Sequence, residues 1–279
     1  MNNMNAASLH AKLLNIARKE GIEFQLLLNR LGAEQFLARL SQSPFANQFI
    51  FKGGALLAYL IDTDRKTKDL DFTLNKLSNQ VEEITAIIQS VLKIPMDDCV
   101  DWGDTKGSPL THPDMPSPGV ITICHFLIGK MRGHVQIDMA IGEVQEAILT
   151  PLKKIRYKNE TLMGEDFSIL SYPRELIFAE KLEIALKKAE DNTRLRDFYD
   201  MFKLMENELD SNLLKSCLTS VFAKRGTEII PEFILSDKAI TKLQGYWEAY
   251  ITKAKLKMAP KKVKTIISAI NAQLKEIFR

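Results

Sequence analysis

Two short segments decide the fold of this chain. Phe49-Ile50-Phe51-Lys52-Gly53-Gly54 is an apolar run that ends in a glycine pair, and Asp69-Leu70-Asp71-Phe72-Thr73-Leu74 alternates polar and apolar residues. Residues 55–61 are apolar and lack helix breakers, so the first segment predicts a strand, a glycine turn and a helix. The alternation in the second segment predicts a strand that places Asp69 and Asp71 on one face and the apolar side chains on the other.

The flanking sequence extends this unit into a mixed α/β half followed by a helical half. The spacing of apolar residues predicts helices over 8–41 and 81–92, strands over 120–128 and 134–141 with a turn at 129–133, and helices from 174 to the end. Five prolines within 95–118 predict that this stretch is largely loop, with room for one short strand. We therefore predict an α+β fold: an N-terminal lobe (1–168) with a mixed sheet flanked by helices, and a C-terminal helical lobe (169–279).

Composition excludes several classes of protein. The 279 residues are 46% hydrophobic and 26% charged, which argues against intrinsic disorder. No apolar run approaches the roughly 18 residues that a membrane span needs, and no signal peptide is recognisable. The three cysteines and four histidines show no metal-ligand spacing, and the cysteines suggest no disulfide framework. We therefore expect a cytoplasmic protein without a membrane partner.

Three aspartates form a candidate metal site. Asp69 and Asp71 lie roughly 6 to 7 Å apart along one strand face, where they repel each other unless a cation lies between them. Asp138, in the strand predicted over 134–141, points away from the apolar side. If the two strands are neighbours, the three carboxylates can hold one or two Mg²⁺ ions for an in-line phosphoryl displacement. Gly53 and Gly54 would let backbone N–H groups approach a phosphate at a helix start.

Each of these signals alone has an ordinary structural explanation. Two aspartates two residues apart on a strand are often a solvated edge, and a glycine pair is usually a turn. The order of glycine turn, apolar helix, aspartate strand and later strand aspartate favours catalysis over these alternatives.

Several separate motifs resemble the nucleotidyl transferase AbiEii/AbiGii toxin family, a branch of the DNA polymerase β-like nucleotidyltransferase superfamily. The similarity covers roughly residues 8–206, and it is carried by residues 49–56, 65–72, 118–120 with 136–138, 171–175 with 179–182, and 192–200. Arg196 and Glu143 stand where the family commonly has Lys and Asp. Residues 207–279 match no family motif that we recognise.

The resemblance implies a polymerase β-like N-terminal lobe and a Mg²⁺-dependent enzyme that transfers NMP from an NTP to an RNA acceptor, the 3′ end of a tRNA. It also implies the toxin of a toxin–antitoxin system in phage defence, with a separate antitoxin protein as partner. The implied catalytic residues are Asp69, Asp71, Asp138, Lys181, Asp197 and Asp200; those implied to bind nucleotide are Lys52, Gly53, Gly54, Arg65, Thr67, Lys68 and Lys181. Two other functions stay open: NMP transfer to a protein hydroxyl, and a catalytically silent nucleotide- or RNA-binding module.

The C-terminal half carries two further candidate features. Lys181 either binds the triphosphate or pairs with acids one turn away on its own helix. Asp197 and Asp200 either orient Lys181 or the incoming hydroxyl, or form ion pairs with Arg194 and Arg196. Residues 251–279 carry a local charge of +7 within a chain of net charge +3. The lysines of this segment either bind RNA or form a solvated helix face. The candidates are Lys253, Lys255, Lys257, Lys261, Lys262 and Lys264.

Overall fold

A computed structural model describes residues 5–61, 63, 67–111, 118–230 and 232–278. The chain forms two compact units: one consists of Met1–Tyr59 and Thr67–Ser171, and the other of Leu60–Lys66 and Tyr172–Arg279. Arg65, one of the predicted nucleotide-binding residues, lies outside the described residues.

The first unit is built on a seven-stranded mixed sheet. Its helices are α1 (Ala6–Glu20), α2 (Phe24–Ser41), α3 (Gly53–Leu60) and α4 (Val81–Leu92), and its strands are β1 (Phe49–Lys52), β2 (Asp69–Leu74), β3 (Asp101–Leu110), β4 (Gly119–Ile128), β5 (Met131–Ile141), β6 (Ile148–Leu152), β7 (Arg156–Tyr157), β8 (Glu160–Thr161) and β9 (Phe167–Ser171). The order in the sheet is β3-β4-β5-β2-β1-β9-β6, and β7 and β8 form a separate small hairpin. The pairs β2–β5 and β1–β9 are parallel, and the other neighbours are antiparallel.

The core of this unit lies on the apolar face of β1 and β2. The ring of Phe72 lies 5.3 Å from that of Phe51, 5.7 Å from that of Phe49 and 6.3 Å from that of Phe36 on α2. All four rings are fully buried. Burial of this face by α2 fixes the register of β2, because a shift by one residue would turn its aspartates inward.

The prediction that 95–118 is largely loop was wrong for its central part. Asp101–Leu110 forms a ten-residue strand at the edge of the sheet, and β4 is its one neighbouring strand in the part of the chain that the structure describes. An edge strand tolerates Pro109 and a bulge between Trp102 and Thr105, because one side of its backbone needs no partner. The predicted β4–β5 hairpin is present, although its turn is shorter than predicted and consists of Gly129 and Lys130.

The second unit is helical. It contains α5 (Arg174–Lys188), a short 3₁₀ turn (Ala189–Asp191), α6 (Leu195–Met205), α7 (Ser211–Arg225), α8 (Asp237–Ala254) and α9 (Val263–Ile277). Gly226 ends α7 in the left-handed conformation that favours glycine. Among the described residues, no helix is both long and apolar enough to cross a bilayer. The predicted α+β fold, with a mixed sheet flanked by helices and a helical C-terminal part, is confirmed.

Candidate active site

Strands β2 and β5 bring the three candidate aspartates together. They run parallel, with Asp71 directly opposite Asp138 and Asp69 opposite Gln136. Paired residues of neighbouring strands share a face of the sheet, so the three carboxylates lie on the same side. Lys52 at the end of β1 is paired with Asp71 from the other side. The result is a row of polar side chains across three strands, Lys52–Asp71–Asp138, with Asp69 two residues before Asp71 on β2.

The glycine turn is in direct contact with this row. Gly53 has φ +75°, and a Cβ atom placed on it would stand 2.6 Å from Cγ of Asp71 and collide with its Oδ2. The carboxylate of Asp71 therefore lies over the bare Cα of Gly53. Two separate sequence signals, the glycine pair and the aspartate strand, form one structural feature because only glycine leaves this space open.

Asp138 lies in a less polar environment than a surface carboxylate. Burial raises its pKa, the hydrogen bond from Gln136 lowers it, the negative charge of Asp69 raises it, and the net change is upward. The amide Nε2 of Gln136 donates to Oδ1 of Asp138 at 3.0 Å. Such a carboxylate is a stronger base than an exposed one, and one of its oxygens is already held in place.

The chemistry of the donors fits Mg²⁺. Among the described residues, no three Asp, Glu, His or Cys side chains are gathered closely enough to enclose a metal ion on their own. Mg²⁺ does not need such an enclosure, because it is usually held by one or two carboxylates and keeps water and substrate phosphates as its other ligands. Asp69 and Asp138 interact electrostatically, and Asp71 is paired with Asp138, so these three residues offer a partial coordination shell of that kind.

The other predicted nucleotide-binding residues flank this row. Gly53 and Gly54 are the first two residues of α3, and Thr67 and Lys68 directly precede β2. The Thr67 hydroxyl is buried and, within the described residues, has no hydrogen-bond partner. The side chain of Lys68 is exposed.

A second cluster lies in the helical unit. Nζ of Lys181 on α5 contacts Oδ1 of Asp197 at 2.7 Å and Oδ2 of Asp200 at 2.8 Å, and Nε of Arg194 contacts Oδ2 of Asp197 at 2.6 Å. The two aspartate side chains are at most 3% exposed, and that of Lys181 is 14% exposed. Burial lowers the pKa of Lys181, but the charges of Asp200 and Asp197 outweigh burial and raise it. Lys181 is therefore a fully charged cation held from two sides.

These contacts decide between the pairings considered for the cluster. The pair of Arg194 with Asp197 is present. The pair of Arg196 with Asp200 was a wrong prediction within the described residues, because Asp200 binds Lys181 and Arg196 is exposed. The acids that hold Lys181 lie on α6, and not one turn away on its own helix.

The lysines of the C-terminal region point into solvent. All six predicted RNA-binding lysines are exposed, while Leu256, Val263, Ile266 and Ile267 between them are buried. The segment thus packs through its apolar residues and displays its charges outward.

Gln136 was not predicted to take part in these clusters, and Arg194 was considered only as an ion-pair partner of Asp197. Gln136 contacts Asp138, and Arg194 contacts Asp197. The available signal was position alone: Gln136 precedes Asp138 by two residues on the same strand face, and Arg194 precedes Asp197 by about one helical turn.

Comparison with known proteins adds an independent line of evidence. Residues 35–269 match the model of the family described as "Nucleotidyl transferase AbiEii toxin, Type IV TA system". The match includes most of residues 207–279, where the sequence analysis found no family motif. It begins at residue 35, whereas the sequence analysis placed the start of the similarity near residue 8. No curated protein is similar enough to count as a match.

Solved structures share the fold at low sequence identity. MenT4, a nucleotidyltransferase toxin from Mycobacterium tuberculosis H37Rv, superposes with a TM-score of 0.58 at 15% identity, covering 98% of this chain and 89% of its own. JHP933 from Helicobacter pylori superposes with a TM-score of 0.50 at 15% identity, covering 91% of each chain.

Proposed function

This chain belongs to the nucleotidyl transferase AbiEii toxin family, and on that basis we propose that it transfers NMP from an NTP to the 3′ end of an RNA acceptor, a tRNA, with Mg²⁺ as cofactor. Its membership makes it a nucleotidyltransferase toxin of a type IV toxin–antitoxin system, with an NTP as substrate and an antitoxin as partner. Membership in this family favours an enzyme over a catalytically silent binding module. We also propose that the protein acts in the cytoplasm and that it takes part in phage defence.

One observation carries the assignment of the active site: Asp71 is paired with Asp138 on neighbouring strands and lies over the Cα of Gly53. Asp69, Asp71 and Asp138 would hold Mg²⁺, which when bound neutralises charge on the reacting phosphates. The backbone N–H groups that start α3 are available to the phosphates, with Lys52, Thr67 and Lys68 beside them. Arg65 stays in this set by resemblance alone.

In the proposed reaction, the terminal ribose hydroxyl oxygen of the acceptor attacks the α-phosphorus of the NTP. A new phosphorus–oxygen bond forms, the bond between the α-phosphorus and the bridging oxygen breaks, and pyrophosphate leaves. We assign the hydroxyl proton to Oδ2 of Asp138, because Oδ1 already accepts a hydrogen bond from Gln136.

Lys181 would donate its third N–H to the triphosphate, because the other two are directed at Asp197 and Asp200. Its two bonds to Asp197 and Asp200 support the role of these aspartates in orienting Lys181, rather than the incoming hydroxyl. Held from two sides, the ammonium has lost most of its side-chain freedom before substrate arrives, which favours binding of a charged ligand. The competing explanation is that Lys181, Asp197 and Asp200 form a purely structural ion-pair network. Replacing Lys181 should raise the KM for NTP only if Lys181 binds the triphosphate.

The choice of RNA over a protein acceptor rests on the exposed lysines. Six lysines between residues 253 and 264 are exposed, and a polynucleotide gains most of its sequence-independent affinity from such contacts to phosphates. A protein hydroxyl has no comparable need for them.

The test is incubation of the purified protein with each α-labelled NTP, Mg²⁺, and either total RNA or total protein. We expect label on RNA of tRNA size, and no label when Mg²⁺ is removed by chelation. Label on protein would mean that the acceptor is a protein hydroxyl and not RNA. No label on either would contradict the proposal.

A matched pair of double variants tests the site. Asp69→Asn with Asp71→Asn should reduce transfer by at least about 1000-fold, equivalent to about 4 kcal/mol in the barrier. Asp101→Asn with Asp104→Asn changes two exposed aspartates of β3 in the same sheet and should leave the rate within about twofold. Equal activity of the two double variants would overturn the assignment.

A further inference from the structure

The hairpin of β4 and β5 brings two histidines together. His125 on β4 is directly opposite His134 on β5, and the centroids of their imidazole rings are 6.3 Å apart. Their separation in the sequence is longer than the H-x₃₋₅-H spacing of a zinc motif, so the pair exists only because the turn at Gly129 and Lys130 folds one strand back on the other. Both side chains are exposed, so an ion in solvent can reach them.

The two histidines form the kind of strand pair in which opposite side chains lie closest. The backbone N–H of His134 donates to Oδ1 of Asn29 on α2 at 3.2 Å. It is therefore directed away from β4 and does not bond to His125. In an antiparallel sheet, a pair without backbone hydrogen bonds has its Cα atoms about 4.5 Å apart, compared with about 5.5 Å in a hydrogen-bonded pair. Side chains at this separation can reach one ion between them.

One of the two rings is already held in the manner of a metal ligand. Nδ1 of His125 lies 3.3 Å from the backbone carbonyl oxygen of Asp104 on β3. Because a carbonyl oxygen can only accept, Nδ1 carries the proton, and in the neutral ring the lone pair is on Nε2. A histidine that ligates a metal almost always donates its other ring nitrogen to a carbonyl, a carboxylate or water. His125 therefore presents Nε2 as the ligand atom.

The distance between the rings fits an ion bound by both. Zn–N bonds are about 2.0 to 2.1 Å long, so two imidazoles on one Zn²⁺ have centroids about 5 Å apart at a tetrahedral angle and about 6.4 Å apart at most. The observed 6.3 Å lies within this range. A movement of about 1 Å by the exposed ring of His134 brings the pair to the tetrahedral arrangement.

The chemistry of the pair favours a transition metal over Mg²⁺. Imidazole nitrogens suit Zn²⁺, Cu²⁺ and Ni²⁺, whereas Mg²⁺ selects oxygen ligands. The charged residues beside the pair on β3 and β5 balance, with cations at Lys106 and Arg132 and anions at Asp101 and Asp104. Within the described ranges, no third Asp, Glu, His or Cys side chain completes a metal-holding group. Water would fill the remaining positions, so the ion would exchange with solvent.

We propose that His125 and His134 form a two-histidine site for a divalent transition-metal ion of the Zn²⁺ class, which joins β4 to β5 across the hairpin. His134 and Asp138 lie on the same face of β5, four residues and about 13 Å apart along the strand, so the site is separate from the three carboxylates. The proposal does not depend on nucleotidyl transfer.

The histidine rings themselves provide the test. The full chain, labelled with ¹⁵N, is titrated with Zn²⁺ in excess Mg²⁺, which occupies oxygen ligands and leaves imidazoles unoccupied. We expect the ring nitrogen resonances of His125 and His134 to shift together and to saturate at one Zn²⁺ per chain. His10 is an exposed histidine on α1 whose ring contacts Phe24, and its resonances should stay unchanged.

Matched variants, studied by calorimetry with Zn²⁺, identify the ligands. His125→Gln and His134→Gln each remove one ligand, and each should weaken binding by at least about tenfold. His10→Gln is the same substitution at an unpaired exposed position of α1 and should leave the affinity unchanged. Asp69→Asn with Asp71→Asn should also leave it unchanged, which separates this site from the metal site of the proposed function.

Three outcomes would overturn the proposal. The first is no saturable binding of Zn²⁺ in the presence of Mg²⁺. The second is a shift of only one of the two rings, because the ion would then not lie between them. The third is an affinity that both histidine variants keep, or that the double aspartate variant loses, because the ion would then lie elsewhere. Should a histidine variant fail to fold, the ring shifts of the wild type decide alone.

Discussion

Replacing Gly53 with alanine tests whether the glycine turn and the aspartate strand form one site. The added Cβ would stand 2.6 Å from Cγ of Asp71, and an ordinary contact needs at least 3.4 Å. The carboxyl group must therefore retreat by about 0.8 Å or more, and displacement of a reacting group by about 1 Å can cost roughly 100-fold in rate. We expect Gly53→Ala to reduce nucleotidyl transfer by about 100-fold.

The same substitution also carries a conformational cost that must be separated from this effect. Gly53 has φ +75°, where an alanine is disfavoured by about 1 kcal/mol. Gly21 has φ +65°, and a Cβ atom placed on it would meet no atom of the described residues within 4 Å, so Gly21→Ala has the strain without the collision. Urea unfolding should show a similar loss of about 1 kcal/mol in both variants.

Transfer rates then separate the two glycines. Gly21→Ala should keep the wild-type rate at a temperature where both variants are folded, and Gly53→Ala should not. Transfer by Gly53→Ala within about threefold of wild type would refute the argument, because Asp71 would then tolerate displacement.

Three further predictions concern charge. Asp200→Asn leaves the buried Lys181 with one carboxylate and should destabilise the protein by about 2 to 3 kcal/mol in urea unfolding, whereas Arg196→Gln at an exposed position should change stability by less than about 0.5 kcal/mol; equal effects would contradict the pairing. Burial raises the pKa of Glu34 from 4.5 to about 7, so between these two pH values the folded state keeps a proton on Glu34 that the unfolded state has lost. The free energy of unfolding therefore decreases as the pH rises from 4.5 to about 7. Glu34→Gln removes this pH dependence. The unfolding free energy of the variant minus that of the wild type should therefore increase by roughly 3 kcal/mol between about pH 4.5 and 8, and a difference that does not change with pH would contradict the prediction. Changing Lys253, Lys261 and Lys264 to Gln should reduce the slope of log K for RNA binding against log salt concentration by about 2. The same changes at the exposed Lys19, Lys76 and Lys130 should alter this slope less.

Periodicity predicted the parts of the fold in which one face is buried. The alternation in Asp69–Leu74 gave a strand with its aspartates on the open face, and α4 lies at Val81–Leu92 as its apolar spacing predicted. β3 was not predictable in this way, because an exposed edge strand buries little and its side chains need not alternate.

Contacts between distant residues were beyond the reach of local patterns. The bidentate pair of Arg39 with Asp98 joins residues 59 positions apart, a separation that no local spacing rule covers. Lys181 and Asp200 were each selected from the sequence, but their contact depends on the packing of α5 against α6. Local spacing instead suggested Arg196 as the partner of Asp200, because helix-neighbour rules consider a single helix. The roles of these residues in catalysis stay a prediction.

The most direct test of the active site is to locate the metal. Crystals grown with Mn²⁺, which carboxylates bind as they bind Mg²⁺, and a non-hydrolysable NTP would reveal the ion by its anomalous scattering. We predict a peak within about 2.0 to 2.3 Å of carboxylate oxygens of Asp71 and at least one of Asp69 and Asp138, with the triphosphate at the N-terminus of α3. A triphosphate and Mn²⁺ bound elsewhere, with these three carboxylates free of metal, would contradict the account.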